Sequence, residues 1–334
     1  MHLCPVTLVS VLIPVKNASA WLDDCLNSVQ NQQLTDWECL LLNDESEDNS
    51  GEIIAAKIQN DHRFKLVKAT GHGLIQANRD LLKAAQGQFV TRMDADDLMP
   101  EYRLKEMADT LKNATPKTIV TAQVKFFPET ACGPGTRFYE NWLNERCVQN
   151  DHWQHIWREC VIPSPCWMMR TAELRDSGGF DLSVYPEDYD MALRLFFSGF
   201  KVLSVNKVCH LWRQHNSRFS KNSENYSAEK FMSLKWNYWK DKYAEKGKPV
   251  YILGTMDKGK ILNTLVQADG FDVVWFAHKE HIAGNKIGQK VIQYYQDFPM
   301  NEGEHVISTL SSIDDHTLVY DFLEKAKLQV FKFC

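Results

Sequence analysis

At 334 residues, with 44% hydrophobic and 24% charged positions, the chain has an ordinary globular composition and more length than one core usually uses. A net charge of −5 excludes the basic excess that nucleic-acid binding needs, so no nucleic-acid partner is expected. No run of about 18 apolar residues occurs, which excludes a membrane-spanning helix.

The N-terminus, MHLCPVTLVSVLIPV, is apolar but lacks a basic stretch before it and a small-residue cleavage site. It reads as a first strand, not a signal peptide. Leu8 to Val15 is that strand by its β-branched content, closing at Pro14 and Lys16-Asn17. Ala18 to Gln30 carries Trp21, Leu22, Cys25, Leu26 and Val29 at helical spacing. Trp37 to Leu42 is a second strand that runs straight into Asn43-Asp44-Glu45-Ser46. A helix follows from Ser50 to about Asn60, then a short strand at Phe64 to Val67. Gly73 to Gln86 is a helix, with Gly87 as its C-cap. Phe89-Val90-Thr91 then leads through Met93 to Asp94, Asp96 and Asp97. Strands alternating with helices mean βαβ units and a mainly parallel sheet. Three strand ends deliver polar groups to one edge, where open α/β sheets place their ligands.

Asp94 and Asp96 would face the same way on an extended segment, since side chains alternate with a period of two. Two carboxylates that close favour a hard divalent cation between them. The other reading is a solvated acidic turn. Nine cysteines without CxxC pairs read as buried thiols of a reducing cytosol.

Beyond Pro100 a helix shows Leu104, Met107, Ala108 and Leu111 on one face, and Thr118 to Phe127 is a strand. Between Phe127 and Cys160 the sequence is irregular and aromatic, with Phe138, Tyr139, Trp142, Trp153 and Trp157. These rings could stack on a bound substrate or pack over the core, and the reading leans to the substrate side. His152 and His155 in HWQH lack a third ligand and read as surface histidines. Later, SGGFDLSVYPEDYDMALRLFFSG carries Glu187 and Asp188 at the start of a helix spaced by Met191, Ala192, Leu195 and Phe196. The acids either offset the helix dipole or supply a general base, and both can hold. Phe200 to Val208 is a last strand, followed by CHLWRQHNSRFS.

VSVLIPVKN, LLLNDESEDNS, the GxxxA and AxG steps and RMDADD, in that order, resemble the inverting family 2 glycosyltransferases of the GT-A fold. The resemblance covers about Val9 to Ser220. It implies a nucleotide-sugar donor across the strand ends, a divalent metal (Mn²⁺ or Mg²⁺) on the DxD motif, and transfer to an acceptor hydroxyl with inversion. By position, Pro14, Val15 and Asn17 would border the base and ribose, and Asp44 would accept from the base imide N–H. Asp94 would lie near ribose and metal, and Asp96 would be the principal metal ligand. Asp188 would be the catalytic base, with Glu187 positioning the acceptor or metal side. Arg213 and His215 would contact phosphate or metal, while His210 belongs to the structure.

Two departures stand out. Glu45 replaces a usual glycine, implying a different turn. Ala77-Asn78-Arg79-Asp80-Leu81 swaps the usual polar pair and leaves Arg79 open between a phosphate contact and a surface arginine.

The expected fold is α/β. A GT-A domain spans 1–222 and a helical linker 223–248. A small Rossmann-like α/β domain spans 249–334, with strands in VYILG, FDVVWF, HVIST and LQVFKF and a helix from Asp314 to Lys327. The helix Ser223 to Lys246 either packs on its own domain or lies on a membrane surface. Gly254 to Gly259 keeps only the outer glycines of a dinucleotide fingerprint, so NAD is not expected there.

The expected function is transfer from a UDP-sugar to a glycan or lipid-linked acceptor, in the cytoplasm or peripheral to the inner face of the membrane, serving bacterial surface polysaccharide. The alternatives are a non-catalytic sugar-nucleotide-binding protein and a nucleotidyltransferase.

Overall fold

The computed structural model describes residues 7–288, 290–299, 304–311 and 316–334. The MHLCPV lead into the first strand and the helix start at Asp314 lie outside the described residues. The chain divides into two compact units, one of Met1–Trp153 and Val161–Lys221, the other of Gln154–Cys160 and Asn222–Cys334.

In the first unit the strands are β1 (Val9–Val15), β2 (Trp37–Asn43), β3 (Phe64–Leu66), β4 (Phe89–Arg92), β5 (Thr118–Phe127), β6 (Trp167–Arg170) and β7 (Lys201–Arg213). They form one sheet in the order β3-β2-β1-β4-β6-β5-β7. All neighbours are parallel except β6, which runs antiparallel to both β4 and β5. β1 is fully interior, and Val9, Val11, Leu12 and Ile13 are wholly buried, as an apolar strand covered on both faces must be. Its register sets Val15 beside Asn43 and Leu12 beside Arg92, so β1, β2 and β4 end at one edge.

The flanking helices are α1 (Leu22–Gln30), α2 (Ser50–Asn60), α3 (Leu74–Ala84), α4 (Arg103–Lys112), α5 (Pro134–Gln149), α6 (Thr171–Asp176) and α7 (Glu187–Phe197). α1 turns Leu22, Cys25, Leu26 and Val29 inward, as their spacing requires.

Several expectations are corrected. The stretch Phe127–Cys160 is not irregular throughout: α5 runs through it, opened by Pro134 at its first turn. Trp142 and Trp157 are buried packing residues, whereas Phe138 is exposed. His152 is buried, not a surface residue, with its Nε2 3.9 Å from Cys147 Sγ. β7 continues beyond Val208 to Arg213, which puts all of CHLWR on the strand. Gly87 does not cap α3, whose C-cap is Ala85. It lies so close to β1 that a Cβ there would come 2.5 Å from the Ser10 amide nitrogen.

In the second unit α8 (Phe219–Asn222), whose last residue falls here, precedes α9 (Ala228–Tyr243), so the expected single helix from Ser223 to Lys246 is shorter. The strands are β8 (Val250–Leu253), β9 (Val273–Ala277), β10 (Lys286–Ile287), β11 (Lys290–Tyr294), β12 (His305–Ser308) and β13 (Gln329–Lys332), with helices α10 (Asp257–Ala268) and α11 (Thr317–Lys325). The order β10-β11-β9-β8-β12-β13 contains a parallel 3-2-1-4-5 core, the doubly wound arrangement of a Rossmann-like unit. Gly254 and Gly259 hold its first strand-to-helix turn shut. A Cβ on Gly254 would sit 2.5 Å from Thr309 Oγ1, and one on Gly259 2.1 Å from the Gly254 carbonyl oxygen.

Lys235, on α9, is buried and donates to the carbonyls of Arg158 at 2.8 Å and Phe333 at 2.9 Å. Burial lowers its pKa from the usual 10.5 to about 8. Between those values the unfolded chain binds more protons at this site, so the site's contribution to stability rises with pH. The stability of the wild type relative to Lys235→Met should therefore rise by up to about 1.4 kcal/mol per pH unit across that window. Denaturant melts of both proteins at pH 7, 8.5 and 10 read it directly, and a pH-independent difference contradicts it.

Candidate active site

The acids do not lie on an extended segment. β4 ends at Arg92, and Asp94 to Asp97 form a turn closed by the Asp97 amide donating to the Asp94 carbonyl at 3.2 Å. The alternation argument fails for that reason, yet the turn still gathers the carboxylates. Ligand oxygens of Asp94, Asp96 and Asp97 lie within 4.8 Å of one another.

The three acids divide by their partners. Asp97 is wholly buried. Its Oδ2 is 2.9 Å from His210 Nε2, and its Oδ1 accepts from the Arg213 amide at 2.7 Å. Burial, with Asp96 and Asp94 beside it, pushes its carboxyl well above the usual range. His210 is buried too and held well below its ordinary pKa by burial and by the Arg103 guanidinium. A neutral His210 accepts from Arg103 at Nδ1, 2.8 Å away, so Nε2 carries the proton donated to Asp97. Arg103 also donates to Thr91 Oγ1 at 3.0 Å, the Arg92 carbonyl at 3.2 Å and the Pro165 carbonyl at 2.6 Å. Asp97, His210 and Arg103 thus form the frame under the turn. Arg103→Met, which leaves these acceptors buried and unpaired, should cost about 3–5 kcal/mol. Urea unfolding checks this, and an unchanged midpoint would remove Arg103 from the frame.

Asp94 and Asp96 face outward, half-buried. Asp94 Oδ1 accepts from Arg92 at 3.0 Å, and Asp96 Oδ2 lies 2.8 Å from His215 Nε2. One oxygen remains on each. With His215 alongside, this is a hard-oxygen donor set with one imidazole, which fits Mn²⁺ or Mg²⁺. The structure brings together the three residues expected to hold metal.

Arg213 is tied into the acidic turn. Its guanidinium donates to the Asp96 carbonyl at 2.7 Å, reaches Asp24 at 3.4 Å and stacks over Phe127. Trp21 stacks on His215 with ring centroids 4.0 Å apart. Read in sequence as a helix-face residue, Trp21 fixes the imidazole.

Asp44 lies at the end of β2, and its amide donates to the Val15 carbonyl at 2.8 Å. It is buried. Oδ2 accepts from the Gly73 amide at 3.1 Å with Lys16 Nζ 3.6 Å away, while Oδ1 is buried with no hydrogen-bond partner and His72 Nδ1 lies 4.0 Å from it. A buried acceptor without a donor is costly, and a ligand N–H would satisfy it. Val15 is buried, Pro14 half-buried and Asn17 exposed. Asn17 Oδ1 accepts from the Glu47 amide at 2.8 Å and its own amide donates to Ser46 Oγ at 2.9 Å, which clips the β1 loop to the β2 loop. Glu45 sits at φ 53, in the left-handed region that favours glycine, so the turn takes that conformation without one.

Arg79 is half-buried and is not an idle surface residue. It donates to the carbonyls of Phe180 and Asp181 and to Ser183 Oγ, holding the loop ahead of α7. Glu187 and Asp188 open α7 after Pro186, as expected. Glu187 is buried and its Oε1 accepts from Arg92 at 3.0 Å. Asp188 is half-buried and its Oδ1 accepts from the Tyr189 amide at 2.8 Å. The residue that sequence reasoning missed is Arg92. The only signal was an arginine two residues before Asp94.

With this geometry in view, residues 10–175 match the model of a family described as Glycosyl transferase family 2. Over that span the chain belongs to glycosyl transferase family 2. The hyaluronan synthase of Pasteurella multocida is 28% identical over 63% of this chain and 21% of its own length. The putative glycosyltransferase EpsH of Bacillus subtilis is 31% identical over 46% of this chain and 48% of its own. The chain therefore spans about half or less of these relatives. Among solved structures, S. aureus TarS (1–349) in complex with UDP-GlcNAc aligns with a TM-score of 0.52 at 18% identity, covering 78% of this chain and 71% of that one. The mannosyltransferase PcManGT of Pyrobaculum calidifontis, in complex with GDP-Man and Mn²⁺, aligns at 0.53 and 18% identity over 78% and 68%. The fold of this family 2 unit is GT-A. Among the described residues, no helix is long and apolar enough to cross a membrane.

Proposed function

We propose that this glycosyltransferase moves a sugar from a nucleotide-diphosphate donor, a UDP-sugar first, to a hydroxyl of a glycan or lipid-linked acceptor, with inversion. One observation carries the reading. A single sheet edge holds Asp44, whose buried Oδ1 makes no hydrogen bond, beside the turn that gathers Asp94 and Asp96. The first suits the imide N–H of a nucleobase, and the second suits a diphosphate held through a divalent cation.

In this reading Pro14, Val15 and Asn17 border the base and ribose, and Asp44 accepts from the base. Asp94, Asp96 and His215 would hold Mn²⁺ or Mg²⁺, which when bound offsets the charge developing on the leaving nucleoside diphosphate. Arg213 keeps the acidic turn in place and presents cationic character on the phosphate side. Asp188 takes the proton from the acceptor hydroxyl on the face opposite the leaving group, as inversion requires. Glu187, buried against Arg92, positions and does not abstract. The relatives that make hyaluronan and chondroitin, and the EpsH relative, support a role in bacterial surface polysaccharide. The segmentation proposed is a GT-A domain over 1–222, a helical linker and a Rossmann-like domain from 249.

A donor panel of UDP-, dTDP- and GDP-sugars with Mn²⁺, scored by nucleotide release, tests the proposal. Release from at least one donor that EDTA abolishes is the expected result. A protein that binds nucleotide but releases none from any donor is a binding protein, and the proposal fails.

A further inference from the structure

Arg92 closes β4 and is buried, with 4% of its surface exposed. Its backbone is set by the register with Leu12 on β1 and by the bond from Arg103 to its carbonyl. Its guanidinium is divided between two carboxylates from distant parts of the chain. NH2 donates to Asp94 Oδ1 at 3.0 Å, and NH1 donates to Glu187 Oε1 at 3.0 Å and to Ser164 Oγ at 2.6 Å. Asp94 belongs to the acidic turn, and Glu187 is the first residue of α7, next to Asp188. One rigid cation therefore bridges the donor edge and the helix that carries the proposed base.

We propose that Arg92 is a positioning residue that couples the two ends of the site, a role resting on the reading of Asp94 and Asp188 given above. The physics is the sharing of one positive charge. While Asp94 faces Arg92 alone, it draws the guanidinium toward the acidic turn and away from Glu187. Once Asp94 also serves a bound divalent cation, its hold on Arg92 weakens, and Glu187 receives a larger share. The start of α7 is then held more firmly against β4, with Asp188 in place. Linkage makes the effect reciprocal: a well-held Glu187 favours cation binding at Asp94. Ser164 keeps NH1 aligned, so the fork cannot rotate away. Lysine, a single point donor, cannot serve both carboxylates at once.

The test is a double-mutant cycle of Arg92→Lys and Glu187→Gln, read by calorimetry of Mn²⁺ with UDP and with GDP, alongside melting temperature. Glu187 is not a proposed ligand, so a purely local role in starting α7 would leave cation affinity untouched. We expect Arg92→Lys to weaken Mn²⁺ affinity by about 10–100-fold, as loss of a ligand's supporting partner typically does. Glu187→Gln should change that affinity too, and the two effects should be non-additive by about threefold or more. The rate of nucleotide release should fall in both variants with donor KM less affected. If Arg92→Lys does not fold, Arg92→Gln, alone and combined with Glu187→Gln, takes its place in the cycle. Additive effects, or wild-type Mn²⁺ affinity in a folded Arg92 variant, overturn the coupling while leaving the glycosyltransferase reading intact. A wild type that binds neither nucleotide with Mn²⁺ removes both.

Discussion

Asp188→Asn is expected to lower kcat by about 10²–10⁴-fold, the usual contribution of a positioned general base, with donor affinity nearly unchanged. The amide keeps the size of the side chain and can still accept from the Tyr189 amide as Asp188 Oδ1 does. It cannot take up the acceptor's proton. Donor affinity holds because Asp44, Asp94 and Asp96 are untouched. If Asp188 only serves the helix start, Asn keeps the acceptor for the Tyr189 amide and loses only a charge at the helix dipole, so the rate should stay put and the melting temperature should move little. Steady-state kinetics with a turned-over donor, paired with a thermal melt, separates these outcomes. Full rate in Asp188→Asn with a loss in Glu187→Gln would move the base to Glu187, against the ion pair that occupies it.

Asp96→Ala is expected to abolish Mn²⁺-dependent nucleotide binding without unfolding the protein. The frame under the turn runs through Asp97, His210 and Arg103, and the bond that Arg213 makes to position 96 goes to its carbonyl. Deleting the side chain therefore removes a ligand oxygen and the His215 contact while the backbone stays anchored. Asp97→Ala should do the reverse, costing stability first. Calorimetry with UDP, GDP and Mn²⁺ decides the first variant, and unchanged affinity removes Asp96 from the metal set.

Much of this site was legible in the sequence because its signals are local. Apolar strands breaking into Asp44 and into Asp94-Ala95-Asp96 put the acids on one edge, and Pro186-Glu187-Asp188 announces a helix start. What was not legible depends on segments far apart in the chain. Arg92 and Arg103 carry little local signal, because their partners Ser164, Pro165, Glu187 and His210 come from the second half of the unit. β6 is four residues long and runs against its neighbours, so the alternation of strands and helices did not predict it. α5 turns Trp142, Leu143, Arg146 and Cys147 inward but also carries Phe138 and Val148 exposed, so its apolar residues do not mark a single face. The acidic run looked like strand and is turn, since the ladder stops at Arg92.

The most direct test of the central claim is the anomeric configuration of the product, followed by NMR while the wild type turns over a donor with Mn²⁺. A metal-dependent site with Asp188 as base predicts a first-formed product of inverted configuration, and no product once EDTA has removed the cation. Retention of configuration, or transfer that proceeds undiminished in EDTA, would contradict it.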